Sequence, residues 1–175
     1  MFHKILVALD DPETSSSIFA QALDLAVATG SRLLLLHVLT PLEADYPDIA
    51  IFSAIDYSPV LYEEAFKHHA QRWSAYEQQQ LEMLRSFAAK AEEAGVTTEL
   101  SQILGNPGRT ICAVASTWKA DLILMGRRGR SGLGELILGS VSNYVVHHAS
   151  CSVLAIQLVS QSESNPQVSG QVTLL

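Results

Sequence analysis

The chain has 175 residues, a length that suggests one domain, and 48% of them are apolar, which is enough to build a hydrophobic core. A formal net charge of −7 argues against a general nucleic-acid binder and against a protein that binds anionic membranes. No apolar run approaches the roughly 20 residues of a membrane span, and two cysteines are too few for a disulfide framework, so we expect a cytoplasmic protein.

The first predicted element is a buried strand over residues 5–9. Its apolar, partly β-branched run stops at Asp10, which is typical of a parallel strand covered on both faces. A helix follows, and either Asp11–Pro12 or Thr14–Ser15 can begin it. Gly30 stands where a glycine that ends a helix belongs. One face of this helix carries its apolar residues: Ile18, Ala22, Leu25 and Ala26, with the half-polar Thr29 after them.

A second buried strand is predicted over residues 32–38. Residues 39–58 then form an irregular insertion that is too apolar for a free linker and long for a loop. A long helix is predicted over residues 59–94, starting at Ser58–Pro59. At about 1.5 Å per residue it would span on the order of 50 Å, so we expect its first half to project, bend or pack on a partner. One face of this helix carries a stripe of residues at every third or fourth position, which we predict to pack in the core or against another subunit. The stripe consists of Tyr62, Phe66, His69, Trp73, Tyr76, Gln80, Leu84, Phe87 and Ala91.

The remaining elements alternate in the same way. Val96–Leu104 is predicted as an edge strand, and Gly105–Asn106–Pro107 as a turn that starts a third helix. Residues 120–125 form a fourth strand, Ser140 is predicted to cap a fourth helix, and residues 152–159 form a fifth strand. The order βαβαβαβαβ predicts an α/β fold with a single five-stranded parallel sheet and helices on both faces. We therefore expect one domain over residues 1–159 and a weakly ordered tail over residues 160–175.

The segment between the fourth strand and the fourth helix predicts a phosphate site. Glycines at 126, 129 and 139 let backbone N–H groups approach an anion, and Ser140, Val141 and Ser142 would offer free N–H donors at a helix N-terminus. If the first and fourth strands are neighbours where the strand order reverses, Asp10 faces this loop across one cleft. Asp10 could instead be only a turn or capping residue, and the three arginines (127, 128 and 130) could be a solvated surface run.

The glycine spacing excludes the two commoner nucleotide motifs, because neither Gly-Lys-Ser/Thr nor Gly-x-Gly-x-x-Gly opens a helix here. The spacing Gly126-x2-Gly129-x9-Gly139-Ser140 resembles the ATP-binding subgroup of the universal stress protein family. The resemblance also includes the strand ending at Asp10, the His37–Val38 strand end, Gly105-Asn-Pro and the segment from Ala120 to Gly129. It extends over most of residues 1–158, apart from the 39–58 insertion.

This resemblance implies a Rossmann-like fold of the adenine nucleotide alpha hydrolase type with strand order 3-2-1-4-5, and a site for ATP, ADP or AMP. Asp10 and the backbone around Val38 would hold the adenosine, and the 126–130 loop with Gly139–Ser142 the phosphates; Ser142 could also reach a phosphate-bound Mg²⁺. The resemblance further implies a homodimer or higher oligomer through residues 152–159. The expected nucleotide-binding residues are Ala8, Leu9, Asp10, Val38, Met125, Gly126, Arg127, Gly129, Arg130, Gly139, Ser140, Val141 and Ser142.

Three functions remain open on the sequence. The first is an ATP-binding protein of stress response or signalling. The second is a slow ATPase, although no general base stands out among the residues. The third is a dimeric partner-binding module with a vestigial nucleotide cleft. The six histidines show no metal-ligand spacing, so no metal site is assigned to side chains directly.

Overall fold

The computed structural model describes residues 1–40, 59–127 and 139–157. Within them, five parallel strands form one sheet in the order β3-β2-β1-β4-β5. The strands are β1 (Lys4–Leu9), β2 (Arg32–Leu39), β3 (Thr98–Leu104), β4 (Leu122–Arg127) and β5 (Ser152–Gln157). The predicted fold class, strand order and edge position of β3 are confirmed. The predicted insertion over residues 39–58 was placed to begin too early, because Leu39 still belongs to β2. Its residues 41–58 and the predicted tail over residues 160–175 lie outside the described residues, so the predicted domain limits stay a prediction.

Helices cover both faces of the sheet. They are α1 (Pro12–Thr29), α2 (Pro59–Glu93), α3 (Pro107–Trp118) and α4 (Ser140–His148). Alternate residues of each central strand face opposite layers. Ile5 and Val7 pack with α1 and α2, while Leu6 packs with α3 and α4. Because the three central strands are buried on both faces, they read as the continuous apolar runs seen in the sequence.

Helix α1 starts at the first of its two predicted positions. Asp11 accepts the backbone N–H of Thr14 at 3.0 Å and the Thr14 hydroxyl at 2.6 Å, so it is the side chain that caps the helix. At the other end, Gly30 has φ of 66°, a left-handed conformation that glycine adopts without strain. Since Asp11 takes the capping role, Asp10 is left at the end of β1.

Helix α2 changes character along its length. Gln80, Leu84, Phe87 and Ala91 are buried, and the rings of Phe87 and Phe19 of α1 stack 4.6 Å apart. Toward the N-terminus, every described side chain from Glu63 to Gln79 is exposed or half-buried, and Phe66 is 63% exposed. The stripe therefore supplies core in its second half, and whether the first half projects, bends or packs on a partner stays a prediction. Among the described residues, no helix is both long and apolar enough to cross a membrane.

The end of the sheet opposite to the strand C-termini is fixed by Asp121. Its Oδ2 accepts the backbone N–H groups of His3 at 2.8 Å and Lys4 at 2.9 Å. These hydrogen bonds lower the pKa of the Asp121 carboxyl from its usual value of 3.8. They connect Asp121, which directly precedes β4, to the start of β1, and β1 and β4 are neighbours in the sheet.

We expect Asp121→Ala to lower the free energy of unfolding by on the order of 1 kcal/mol at neutral pH. A carboxyl whose pKa is lowered by folding stabilises the protein above its unfolded pKa and loses that effect as pH falls through its folded pKa. The difference between the two proteins should therefore be complete at neutral pH and shrink as pH falls below 3.8. Denaturant unfolding at several pH values measures it. Asp24→Ala, at an exposed position on α1, is the control, and a pH-independent difference at Asp121 would contradict the expectation.

The candidate nucleotide cleft

The candidate site lies where the strand order reverses, between β1 and β4. Strands on either side of this point lead to helices on opposite faces of the sheet, which leaves a crevice beyond the strand C-termini. The crevice here is a cavity of about 320 Å³, within the size range of small-molecule sites. We call it the β1–β4 cleft. Its lining residues are Ala8, Leu9, Asp10, Thr14, Ile18, Leu36, Val38, Pro107, Ile111, Met125, Gly126, Gly139, Ser140, Val141 and Ser142.

The structure brings most of the predicted site residues together in this cleft. All of those that lie in the described part of the chain line it, with the exception of Arg127. The guanidinium of Arg127 instead donates to the side-chain oxygen of Gln157 at 3.3 Å, its register partner on β5. Gly129 and Arg130 fall outside the described residues. The binding roles of all these residues stay a prediction.

Apolar groups form much of the cleft. Ala8 and Met125 are register partners on β1 and β4, and Leu36 and Val38 come from the same face of β2. Ile111 of α3 adds a further buried apolar side chain. A planar apolar ring could be covered by these groups without leaving a buried polar atom of the protein unpaired.

The N-terminus of α4 supplies the polar part. Gly139 is the residue before the helix, and its carbonyl accepts the N–H of Asn143 at 2.8 Å. The N–H groups of Ser140, Val141 and Ser142 therefore have no acceptor within the helix, as in every first helical turn. All three residues line the cleft, so these donors and the helix dipole lie beside it.

Ser140 does not cap α4, so the prediction that it does is wrong. The capping position belongs to Gly139, which has no side chain to cap with, and Ser140 is the first helical residue. The Ser142 side chain is 3% exposed, and its hydroxyl donates to the carbonyl of Gly126 at 3.2 Å. A contact of Ser142 with phosphate or Mg²⁺ would thus use its backbone N–H or the acceptor side of its oxygen.

Gly126 is constrained by a neighbouring helix. A Cβ at this position would lie 2.6 Å from Cδ1 of Ile18 on α1, well inside contact distance. The absence of a side chain at 126 therefore lets α1 lie close to the end of β4. Both residues line the cleft, so this close approach lies at its wall.

Asp10 directly follows β1 and lines the same cleft as the N-terminus of α4. Its backbone N–H donates to the buried Ser15 hydroxyl at 3.2 Å, which fixes the chain as it leaves β1. Asp10 is one of the residues that line the cleft. Asp11 caps α1, and whether Asp10 binds a ligand or serves only as a turn or capping residue stays a prediction.

Sequence reasoning missed five lining residues: Thr14, Ile18, Leu36, Pro107 and Ile111. Leu36 carried a usable signal, because it lies two positions before Val38 on the same face of β2. Pro107 begins the helix that follows β3, so its position at the C-terminal edge of the sheet was also predictable. Thr14, Ile18 and Ile111 had no comparable signal, since the sequence does not say which helical residues turn toward the crevice.

Neither cysteine shows the features of a reactive thiol. Cys112 on α3 is half-buried, and burial raises the pKa of its thiol. Burial, with the charge of Asp121, also raises the pKa of Cys151. A raised pKa leaves little thiolate near neutral pH.

Comparisons with known proteins agree on one family. The family model described as the universal stress protein family matches residues 1–157. A protein of Synechocystis sp. named universal stress protein Sll1388 is 37% identical over 161 residues, which is 89% of this chain and 98% of that protein. The solved structure of the hypothetical protein MJ0577 has a TM-score of 0.71 at 20% identity and covers 92% of this chain and 99% of that one.

A further solved structure carries a ligand. It is a universal stress protein family protein from Arabidopsis thaliana with AMP bound. Its identity to this chain is 28%, its TM-score is 0.58, and the match covers 89% of this chain and 91% of that one.

Proposed function

This chain belongs to the universal stress protein family, and from that membership and the geometry of the cleft we propose that it binds an adenine nucleotide, ATP in particular, between β1 and β4. The observation that carries the proposal is the composition of this one crevice. It combines apolar groups from three strands and α3 with the free N–H donors of an N-terminal helical turn. A purine needs the first environment and a phosphate needs the second.

The proposal assigns roles to the chain's own residues. The apolar groups Val38, Met125 and Ile111 would cover the adenine, and the Asp10 carboxylate would accept hydrogen bonds from a ribose or the base. The N–H groups of the first turn of α4 would bind the phosphates, whose negative charge the helix dipole favours. Mg²⁺, if bound, would supply charge neutralisation on the phosphates and would be held mainly by them and by water. The AMP in the Arabidopsis protein is consistent with this class of ligand.

We further propose that the protein acts in the cytoplasm in stress response or signalling, as a homodimer that pairs through β5. Strand β5 lies at an edge of the sheet and is bonded only to β4 among the described strands. Leu154 in its centre is 44% exposed. An open edge with an exposed apolar side chain is a surface that a second copy could cover.

Titration calorimetry of the purified protein tests the nucleotide proposal. We expect saturable binding of ATP and AMP with one site per chain, and weaker binding of GTP. At a nucleotide concentration about 100-fold above the dissociation constant, ligand should stabilise the fold by about 2.7 kcal/mol and raise the melting temperature by roughly 5 to 10 °C. Absence of binding would contradict the proposal. Light scattering on the same sample reports whether the chains pair, and a phosphate-release assay reports any ATP hydrolysis.

A further inference from the structure

We infer that His37 is a positioning residue that couples nucleotide occupancy of the β1–β4 cleft to the exposed half of α2 (residues 63–75). This inference rests on the proposed nucleotide binding and adds a route by which occupancy would reach the protein surface. It comes from a row of three register partners across the sheet, namely Leu9 on β1, His37 on β2 and Gln102 on β3.

The row contacts a single turn of α2. The Tyr76 hydroxyl lies 3.4 Å from Nε2 of His37, and the two rings meet edge to face with centroids 6.1 Å apart. One residue further along the helix, the carbonyl of Glu77 accepts a hydrogen bond from the side-chain amide of Gln102 at 3.1 Å. Two neighbouring strands thus hold the same turn of the helix through polar side chains.

The hydrogen bonds of His37 define its tautomer. Nδ1 lies 3.0 Å from the Leu9 carbonyl, and a carbonyl oxygen only accepts, so Nδ1 carries the proton. In the neutral ring Nε2 is then an acceptor, and the Tyr76 hydroxyl donates to it. His37 is fully buried, which makes an exchange of partners costly. Leu9, His37 and Tyr76 therefore form a directed chain of hydrogen bonds from β1 to α2.

One end of this chain lies at the cleft. Leu9 itself lines it, and the residue after Leu9 is Asp10, whose carboxylate is the proposed ribose or base contact. The residue after His37 is Val38, which lines the cleft from the other face of β2. A ligand that fixes Asp10 and Val38 restricts the two peptides next to the Leu9–His37 hydrogen bond.

The other end lies at a boundary within α2. From Gln80 onward the inner face of the helix is buried in the core, whereas the described side chains before it are exposed or half-buried. Among the contacts between described residues, the polar contacts at Tyr76–Glu77 are those that hold α2 to the sheet next to this exposed half. Unwinding of α2 from its N-terminal end is opposed by the hydrogen bonds at this turn. If these hydrogen bonds are strengthened, the population of unwound helix falls.

Hydrogen exchange with mass spectrometry tests the coupling, using AMP and ATP on the full chain. In the natural protein, saturating nucleotide should slow exchange of the amides of residues 63–75 by about fivefold or more, the lower limit of typical coupling between sites. Tyr76→Phe removes only the hydroxyl that donates to His37, so it should still bind nucleotide while losing more than half of this slowing. His37→Asn should act in the same way, because asparagine keeps an N–H near Leu9 but is too short to reach Tyr76.

His3→Asn is the matched control, since His3 is exposed at the opposite end of the sheet. It should respond to nucleotide as the natural protein does. Nucleotide binding with unchanged exchange at residues 63–75, or full slowing in Tyr76→Phe, would overturn the coupling and leave the proposed function standing. No binding of either nucleotide by the natural protein in calorimetry would overturn both.

Discussion

Replacing Gly139 by valine should lower the affinity for ATP and AMP by about 100-fold or more while the chain remains folded. Gly139 has φ of −56° and ψ of 157°, an extended conformation open to any L-residue, so the backbone tolerates the change. The new side chain would stand at the edge of the cleft, beside the N–H groups of the first turn of α4. Hydrogen bonds to a charged group are worth about 1.5–3 kcal/mol each, and the loss of two accounts for a 100-fold change.

Two controls separate a blocked cleft from a damaged fold. Gly139→Ala adds a single methyl group and should cost less affinity than valine does. Ala113→Val introduces the same valine side chain at an exposed position on α3 and should leave binding unchanged. Melting temperatures of all three proteins establish that they fold. Retained ATP affinity in a folded Gly139→Val protein would show that the N-terminus of α4 is not the phosphate site.

Replacing Gly108 by valine should have the largest effect on stability, through the packing behind the same helix. A Cβ on Gly108 would lie 2.8 Å from Cδ1 and 3.0 Å from Cγ of Tyr144. An aromatic ring is rigid, so the contact is relieved only if the whole ring or its helix moves. Overpacking of this kind costs about 1–3 kcal/mol. Because Tyr144 belongs to α4, relief of the clash would move the helix that lines the cleft, so nucleotide affinity should fall together with stability.

Chemical denaturation and calorimetry measure the two effects, and a second change identifies their cause. Tyr144→Ala removes the ring that the valine meets. If overpacking is the cause, the double variant should be less destabilised than the sum of the two single changes, a coupling of about 0.5–3 kcal/mol. Strict additivity would point to a defect within α3 itself. Ala113→Val on the exposed face of α3 serves again as the control.

The sheet was predictable from the sequence because its central strands are buried on both faces and leave continuous apolar runs. The limits of β4 were not, since the expected end at Met125 lies before Gly126 and Arg127, which still pair with Ile156 and Gln157. Those two residues resemble a loop in composition, and only the neighbouring strand makes them part of the sheet. Pairing with a neighbouring strand decides whether such residues belong to a strand, and the local sequence does not show that pairing.

The candidate site was predictable to the extent that it follows the strand ends. Asp10 and Gly126 could be placed because strand C-termini meet at one edge, whereas Val38 was placed by the family resemblance. The helical contributions of Thr14 and Ile111 depend on how each helix is rotated on the sheet, which packing sets. The cap of α4 was predicted at Ser140 because serine is common at the position before a helix. The helix in fact begins at Ser140, one residue earlier than that prediction implies, so Gly139 occupies the capping position.

The order of the strands has a consequence for how the chain folds as it is synthesised. β1 is made first but lies in the middle of the sheet, between β2 and β4. One of its hydrogen-bonding edges therefore stays open until residues 122–127 have left the ribosome, and an open strand edge invites pairing with other chains. The cleft is completed later still, because its lining extends to Ser142. The nascent chain thus passes through a long interval in which the proposed nucleotide site is incomplete.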